Sequence, residues 1–106
     1  MKVLFLCSAN KLRSRTAEDF MPLHFPDHEY QSAGTNIRIC QKEGTTPVTQ
    51  ELIDWADLVV CMETKHLHQI AKGRPKRVKV LHIKDQWKYG ESGLIELLKE
   101  KLSGTL

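Results

Sequence analysis

The sequence predicts an open, doubly wound α/β fold, with helices on both faces of a four-stranded, mainly parallel sheet in three layers. Three observations lead there. Apolar runs of strand length alternate with helix-length amphipathic stretches from one end of the chain to the other. Two of those runs, KVLFL at 2–6 and DLVVCM at 57–62, are almost continuously apolar, as in strands covered on both faces. The chain has 106 residues, enough for one hydrophobic core, so residues 1–106 read as a single Rossmann-like domain.

KVLFL makes the first strand. A polar loop follows, and SRTAEDFM at 14–21 reads as a helix that Pro22 helps to end. HEYQSAG at 28–34 carries a short second strand closed by a glycine turn. TPVTQELIDWA at 46–56 reads as helical from a threonine cap, with Val48, Leu52, Ile53 and Trp55 on or near one face. DLVVCM is the third strand. ETKHLHQIAK at 63–72 is a further helix, with Leu67, Ile70 and Ala71 as its apolar positions and Gly73 as its C-cap. RVKVLHI at 77–83 alternates and is β-branched, hence a fourth strand, and SGLIELLKEKL at 92–102 closes the order as an amphipathic helix.

Composition narrows the function classes. Apolar residues are 41% and charged residues 27%, a balance that can build a core rather than a disordered chain. The net charge of +3 favours anionic ligands but is too small to imply nucleic acid. The densest basic run, KGRPKRVK at 72–79, has no interleaved aromatics and reads as a solvated loop before a strand. VLFL is far short of a signal-peptide core and nothing approaches a membrane span, so a cytoplasmic location without membrane contact is expected. Cys7, Cys40 and Cys61 are odd in number and widely spaced, which predicts free thiols in a reducing compartment. Cys40 is expected in a polar loop and Cys61 in a buried strand. His66 and His68 diverge at i, i+2 on a helix, and His24 and His28 lack companion ligands, so no metal site is expected.

In a doubly wound sheet, ligands bind beyond the carboxyl ends of the strands, at the point where strand order reverses. The loop after the first strand, CSANKLRS at 7–14, lies at that edge. A strand ending in a short loop that feeds a helix aims successive backbone N–H groups into one concavity, and the helix N-terminus adds positive charge. Such a cradle suits a tetrahedral oxyanion. Arg13 can fork two donors onto phosphate oxygens, which Lys cannot match. Thiols at helix N-termini or beside cations ionise more readily than free ones, which makes Cys7 a candidate nucleophile. Ser14 can donate to that sulfur, and Asn10 can hold the turn through its backbone.

The same stretch resembles the phosphate-binding loop of the low-molecular-weight protein tyrosine phosphatases, whose pattern is C-x-x-N-x-x-R-S directly after the first strand. QSAGT at 31–35 resembles that family's S-A-G-T segment, and ADLVVCM at 56–62 its third-strand segment. The likeness follows the element order through the whole chain, in a form shorter than typical members. It implies the phosphotyrosine protein phosphatase I-like fold and hydrolysis of phosphomonoesters with no cofactor, on a phosphorylated protein or a small aryl phosphate. It also implies Cys7 as nucleophile and Arg13 as phosphate clamp, with Ser8, Ala9, Asn10, Lys11, Leu12 and Ser14 completing the substrate-binding loop. Two positions depart from the pattern: Ala9 stands where members often carry Gly, and Leu12 where many carry a second, protective Cys.

The family supplies its general acid as an Asp on a later loop, in a D-P context followed by aromatics. The matching segment here is HIKDQWKYG at 82–90, which implies Asp85, without the Pro. In an extended loop Trp87 and Tyr89, at i+2 and i+4, fall on the side of Asp85 and wall a slot for a flat ring. Three rival functions remain at this point: arsenate reductase of the same fold, which needs Cys40 and Cys61 as a relay; a phosphocysteine carrier, which needs no acid; and a non-catalytic phosphate- or phosphopeptide-binding module. The physiological substrate and the oligomeric state are open.

Overall fold

A computed structural model describes residues 1–106 of the chain. Its strands are β1 (Lys2–Cys7), β2 (Glu29–Gly34), β3 (Leu58–Cys61) and β4 (Val78–Val80), and its helices are α1 (Arg13–His24), α2 (Ile37–Glu43), α3 (Gln50–Trp55), α4 (Thr64–Ile70) and α5 (Ser92–Leu102). The strands form one sheet in the order β2-β1-β3-β4, and every pairing is parallel. The order reverses between β1 and β3, so the loops after those two strands meet at the switch point.

Side-chain alternation along the central strands divides the core into two layers. Val3, Phe5 and Cys7 of β1 join Leu58, Val60 and Met62 on one face, beneath Ala17 and Met21 of α1 and Leu94, Leu98 and Leu102 of α5. Leu4 and Leu6 join Val59 and Cys61 on the other face, beneath Ile53 and Ile70 from α3 and α4. This is the three-layer α/β/α arrangement expected from the uninterrupted apolar strands. No helix is long and apolar enough to cross a membrane.

Several boundaries differ from expectation, each for a local reason. α1 starts at Arg13 and runs through Pro22 to His24; Pro22 falls in the last turn, where the buried Met21 holds the helix and Phe25 N–H still reaches Met21 O at 2.9 Å. α2 was not expected. It is capped by Asn36, whose side chain accepts from Ile39 N–H, and ends at Gly44 with φ +73°. Cys40 is therefore a fully buried helical residue, not a loop residue. α3 begins only after its cap Thr49, because residues 46–48 bond across to Gly34 instead: Gly34 N–H donates to Thr46 O and Val48 N–H to Gly34 O. Gly73 is not the cap of α4 but the end of a 3-10 turn over Ala71–Gly73, and Arg74 takes the left-handed position at φ +55°.

β4 stops at Val80, short of the expected residue 83. Leu81 N–H donates to Cys61 O and Ile83 N–H to Met62 O, so donors two residues apart use consecutive acceptors. The extra residue is His82, exposed with φ +56° between the buried Leu81 and Ile83. It is a bulge, and the residue after it, Ile83, presents its carbonyl to Arg13 Nη1 at 2.8 Å.

Candidate active site

The loop 8–12 is shaped by what its carbonyls do. Cys7 O accepts from Thr35 N–H at 2.8 Å and Ser8 O from Asn36 N–H at 2.9 Å. Ala9 O accepts from Thr45 Oγ1 at 2.6 Å. With three successive carbonyls bound outward, the intervening N–H groups turn inward, and those of residues 8–12 donate to no acceptor in the chain. The first turn of α1 adds further free donors, since its N-cap Leu12 has no capping side chain. The glycine of QSAGT is needed for this crossing. A Cβ on Gly34 would stand 2.4 Å from Cys40 Sγ and 2.6 Å from Ser8 O.

Asn10 pins the loop from within. It is buried with φ +53°, a left-handed conformation that Asn tolerates better than most residues. Its Oδ1 accepts from Thr46 N–H at 3.2 Å, so its amide nitrogen must be the group that meets Ser14 Oγ at 3.0 Å and Ser32 Oγ at 2.8 Å. Ser32 Oγ in turn donates to Glu18 Oε1 at 2.5 Å. Ser14 Oγ, which accepts from Asn10, lies 2.9 Å from Cys7 Sγ, and it is the donor of that pair when the sulfur is a thiolate. The backbone N–H of Thr46 thus fixes the Asn10 amide, and with it the position of the hydroxyl that serves the sulfur.

Arg13 is 2% exposed and held from behind. Its Nη1 donates to Glu63 Oε2 at 2.5 Å and to Ile83 O at 2.8 Å, while Nε lies 3.8 Å from Asp85 Oδ1. The carbonyl of Ile83 is the one delivered by the β4 bulge. Glu63 keeps its charge because the hydrogen bond from Arg13 holds its carboxyl below the ordinary range. A buried guanidinium is thereby compensated on one edge, and its Nη2 edge has no partner in the chain.

Cys7, Ser8, Ala9, Lys11, Leu12, Arg13 and Asp85 line one cavity of about 90 Å³. The sequence-predicted loop and Asp85 are therefore brought together, with Cys7, at 3% exposure, among the walls. Lys11 is the outermost of the loop residues and pairs with Glu43 at 3.3 Å.

Trp87 and Tyr89 are not among the lining residues, which corrects the expectation of an aromatic wall. Residues 84–91 do not run extended: Gln86 N–H bonds Lys84 O, Glu91 N–H bonds Lys88 O, and Gly90 has φ +71°. Trp87 turns instead onto Gly93 and the core, and Tyr89 packs on Phe20 with its hydroxyl donating to Asp19 at 2.5 Å. Together with the bond from Gly90 N–H to Thr16 Oγ1 at 3.0 Å, these contacts tie the Asp85 loop to α1.

Sequence reasoning missed Glu63, Ser32, Glu18 and His66. His66 is fully buried, where the sequence offered only a helical i, i+2 pair. Its Nδ1 accepts from Glu63 N–H at 3.0 Å, so the proton sits on Nε2 and is donated to Ser8 Oγ at 3.1 Å. Burial, reinforced by Arg13, pushes its pKa down to about 4, and the ring is neutral. Ser8 is left with its hydroxyl hydrogen free beside the cavity it lines. A spacing of Glu63 and His66 at i, i+3 before an apolar helix was the available signal. Of the other cysteines, Cys61 has its thiol pushed up to about 12 by burial, and Cys40 Sγ lies 3.9 Å from Ser8 O under the loop.

No protein-family model matches the sequence, and a comparison with curated proteins gives no match. Solved structures match over nearly the whole chain. The tyrosine phosphatase Wzb from Escherichia coli K30, in complex with phosphate, aligns with a TM-score of 0.73 at 23% identity, covering 98% of this chain and 94% of that one. YwlE arginine phosphatase from Geobacillus stearothermophilus aligns at 0.64 and 22% identity, over 98% of this chain and 94% of that one. A low molecular weight protein tyrosine phosphatase from Bacillus subtilis aligns at 0.64 and 20% identity, over 98% of each chain. The chain has the fold of these phosphatases.

Proposed function

We propose that the chain is a phosphatase of the low-molecular-weight protein tyrosine phosphatase family, hydrolysing phosphomonoesters through a cysteinyl-phosphate. The observation that carries this reading is one cavity holding a sulfur, a ring of free N–H donors, a guanidinium edge and a carboxyl group.

In the first step Cys7 Sγ, as thiolate, attacks phosphorus in line with the ester oxygen. The S–P bond forms as the P–O bond breaks, and Asp85 passes its proton to the leaving oxygen. The N–H groups of residues 8–12, the Ser8 hydroxyl and Arg13 hold the equatorial oxygens, and this preorganised charge is the largest contribution. In the second step Asp85, now a carboxylate, takes a proton from water while that oxygen attacks phosphorus. The S–P bond breaks, inorganic phosphate leaves, and Ser14 Oγ–H stabilises the returning thiolate.

The recessed position of Cys7 favours a long phosphorylated side chain over a short one, which supports phosphotyrosine or another aryl ester. Phosphorylated arginine is of comparable length, and one structural neighbour is described as an arginine phosphatase. Arsenate reduction is disfavoured by Cys61, whose buried thiol resists ionisation. A phosphocarrier or passive binding module is disfavoured by Asp85, which faces the same cavity as Cys7.

The test is p-nitrophenyl phosphate turnover across pH by the parent, Cys7→Ser and Asp85→Asn. We expect hydrolysis by the parent, none by Cys7→Ser, and a rate reduced about 10²- to 10⁴-fold in Asp85→Asn. Undiminished turnover by Cys7→Ser would overturn the reading.

A further inference from the structure

Beside the phosphate cradle lies a larger concavity of about 320 Å³, lined by Glu63, Thr64, Lys65, His82 and Lys84. The two adjoin through neighbouring residues. Glu63 lines the larger one and bonds Arg13 of the smaller, and Lys84 precedes Asp85, which lines the smaller. No apolar residue lines the larger groove, so its polar atoms are the ends of charged and hydroxyl-bearing side chains.

Its charge balance is positive. The single carboxylate, Glu63, is committed to Arg13 at 2.5 Å, with Lys65 Nζ 3.8 Å from the same oxygen. Lys84 has no carboxylate within ion-pair distance. His82 is set there by the bulge after β4, at φ +56°, a conformation that costs energy for a residue other than glycine. The backbone thus bends against local preference at a residue that lines the groove.

We infer that this groove recognises carboxylate side chains close in sequence to the phosphorylated residue of a protein substrate, with Lys65 and Lys84 as its cations and His82 as a further donor. This rests on the phosphatase reading, and it assigns that enzyme an acidic class of peptide substrate. A peptide whose phosphorylated residue enters the cradle carries its neighbours toward the adjoining groove, where a Glu or Asp meets Lys84 first. Exposed pairs of this kind are individually weak and screened by salt, so they discriminate between substrates by a modest factor rather than dominate binding.

The experiment compares two phosphotyrosyl peptides that differ only in flanking residues, Glu on both sides or Gln on both sides, with p-nitrophenyl phosphate as a common reference. Each peptide rate is divided by the same protein's rate on that reference, so differences in folded fraction cancel. The Glu peptide is expected to have a kcat/KM about fivefold higher at low ionic strength, carried mainly by KM and fading as salt is added. The double variant K65E/K84E should reverse the preference. Equal kcat/KM for the two peptides, or a preference unchanged in K65E/K84E, overturns the groove's role while leaving the phosphatase reading in place. No turnover of p-nitrophenyl phosphate by the parent overturns that reading and this inference with it.

Discussion

Asn10 Oδ1 accepts from Thr46 N–H, so both amide hydrogens of Asn10 go to serine hydroxyls, and the hydroxyl of Ser14 lies 2.9 Å from Cys7 Sγ, where it donates to the thiolate. A hydrogen bond to a charged acceptor is worth about 1.5–3 kcal/mol, more than one between neutral groups. Ser14→Ala should therefore slow turnover about 10- to 100-fold with little change in KM, because the bond matters most when sulfur is anionic as attacking or leaving group. Steady-state kinetics on p-nitrophenyl phosphate check this; a rise in KM at constant kcat would contradict it. The placement of Cys7, Asn10, Arg13 and Ser14 around one loop was legible because their spacing follows from one strand-loop-helix turn. Glu63, Ser32 and His66 were not, because they reach the loop from other strands and helices, and only the parallel sheet brings them within bonding distance. Trp87 and Tyr89 misled for a related reason: an alternating pattern predicts one-sidedness only if the segment is extended, and here it turns.

Beyond β1, its loop and α1, the end of β2 and the β4 bulge shape the site. Gly34 lets the loop cross β2 at van der Waals distance, and a methyl group there meets both the buried sulfur of Cys40 and the backbone of Ser8 and Ala9. Gly34→Ala should lower stability by about 1–3 kcal/mol and reduce activity beyond what the loss of folded protein explains. Urea unfolding and activity per folded molecule measure the two effects; an unperturbed variant would mean that the loop does not depend on this crossing. α2 shows why one helix escaped notice. Its Asn36 cap and Gly44 terminator are ordinary helix punctuation, but it buries only Cys40 and leaves Ile37 and Ile39 exposed, so no apolar stripe announces it. α5, whose Leu94, Leu98 and Leu102 recur at i, i+4, i+8 and are fully buried, was readable to the residue. Leu98→Ala should cost about 2–5 kcal/mol of stability, measured by the same unfolding assay, and a cost under 1 kcal/mol would mean that α5 packs more loosely than its burial implies.

For the whole molecule, the alternation of strand and helix and the uninterrupted apolar strands sufficed for the architecture, because covering both faces of a parallel sheet leaves few topologies. The sheet also sets a pH dependence that no single segment discloses. His66 has an ordinary pKa of 6.5 and is pushed to about 4 in the fold by burial first and Arg13 second. Between those values the unfolded chain binds a proton that the folded chain does not, so stability falls as pH drops from 6.5 and levels off below about 4. Glu63 acts in the same direction: its folded pKa is below 4.5, so its contribution is present above that value and is lost as pH falls further. Unfolding free energies measured between pH 7 and pH 4 should decline, and His66→Gln should flatten the upper part of the decline; an unaltered slope would place the titration elsewhere.

The central claim is that the sulfur of Cys7 becomes covalently attached to phosphorus during turnover. Rapid acid quenching of the parent protein with a ³²P-labelled aryl phosphate, followed by peptide mapping, tests it directly. Label on the peptide containing Cys7, absent from Cys7→Ser and more abundant in Asp85→Asn under an activated leaving group, is the predicted result. Turnover of the ester with no label on that peptide would contradict the account.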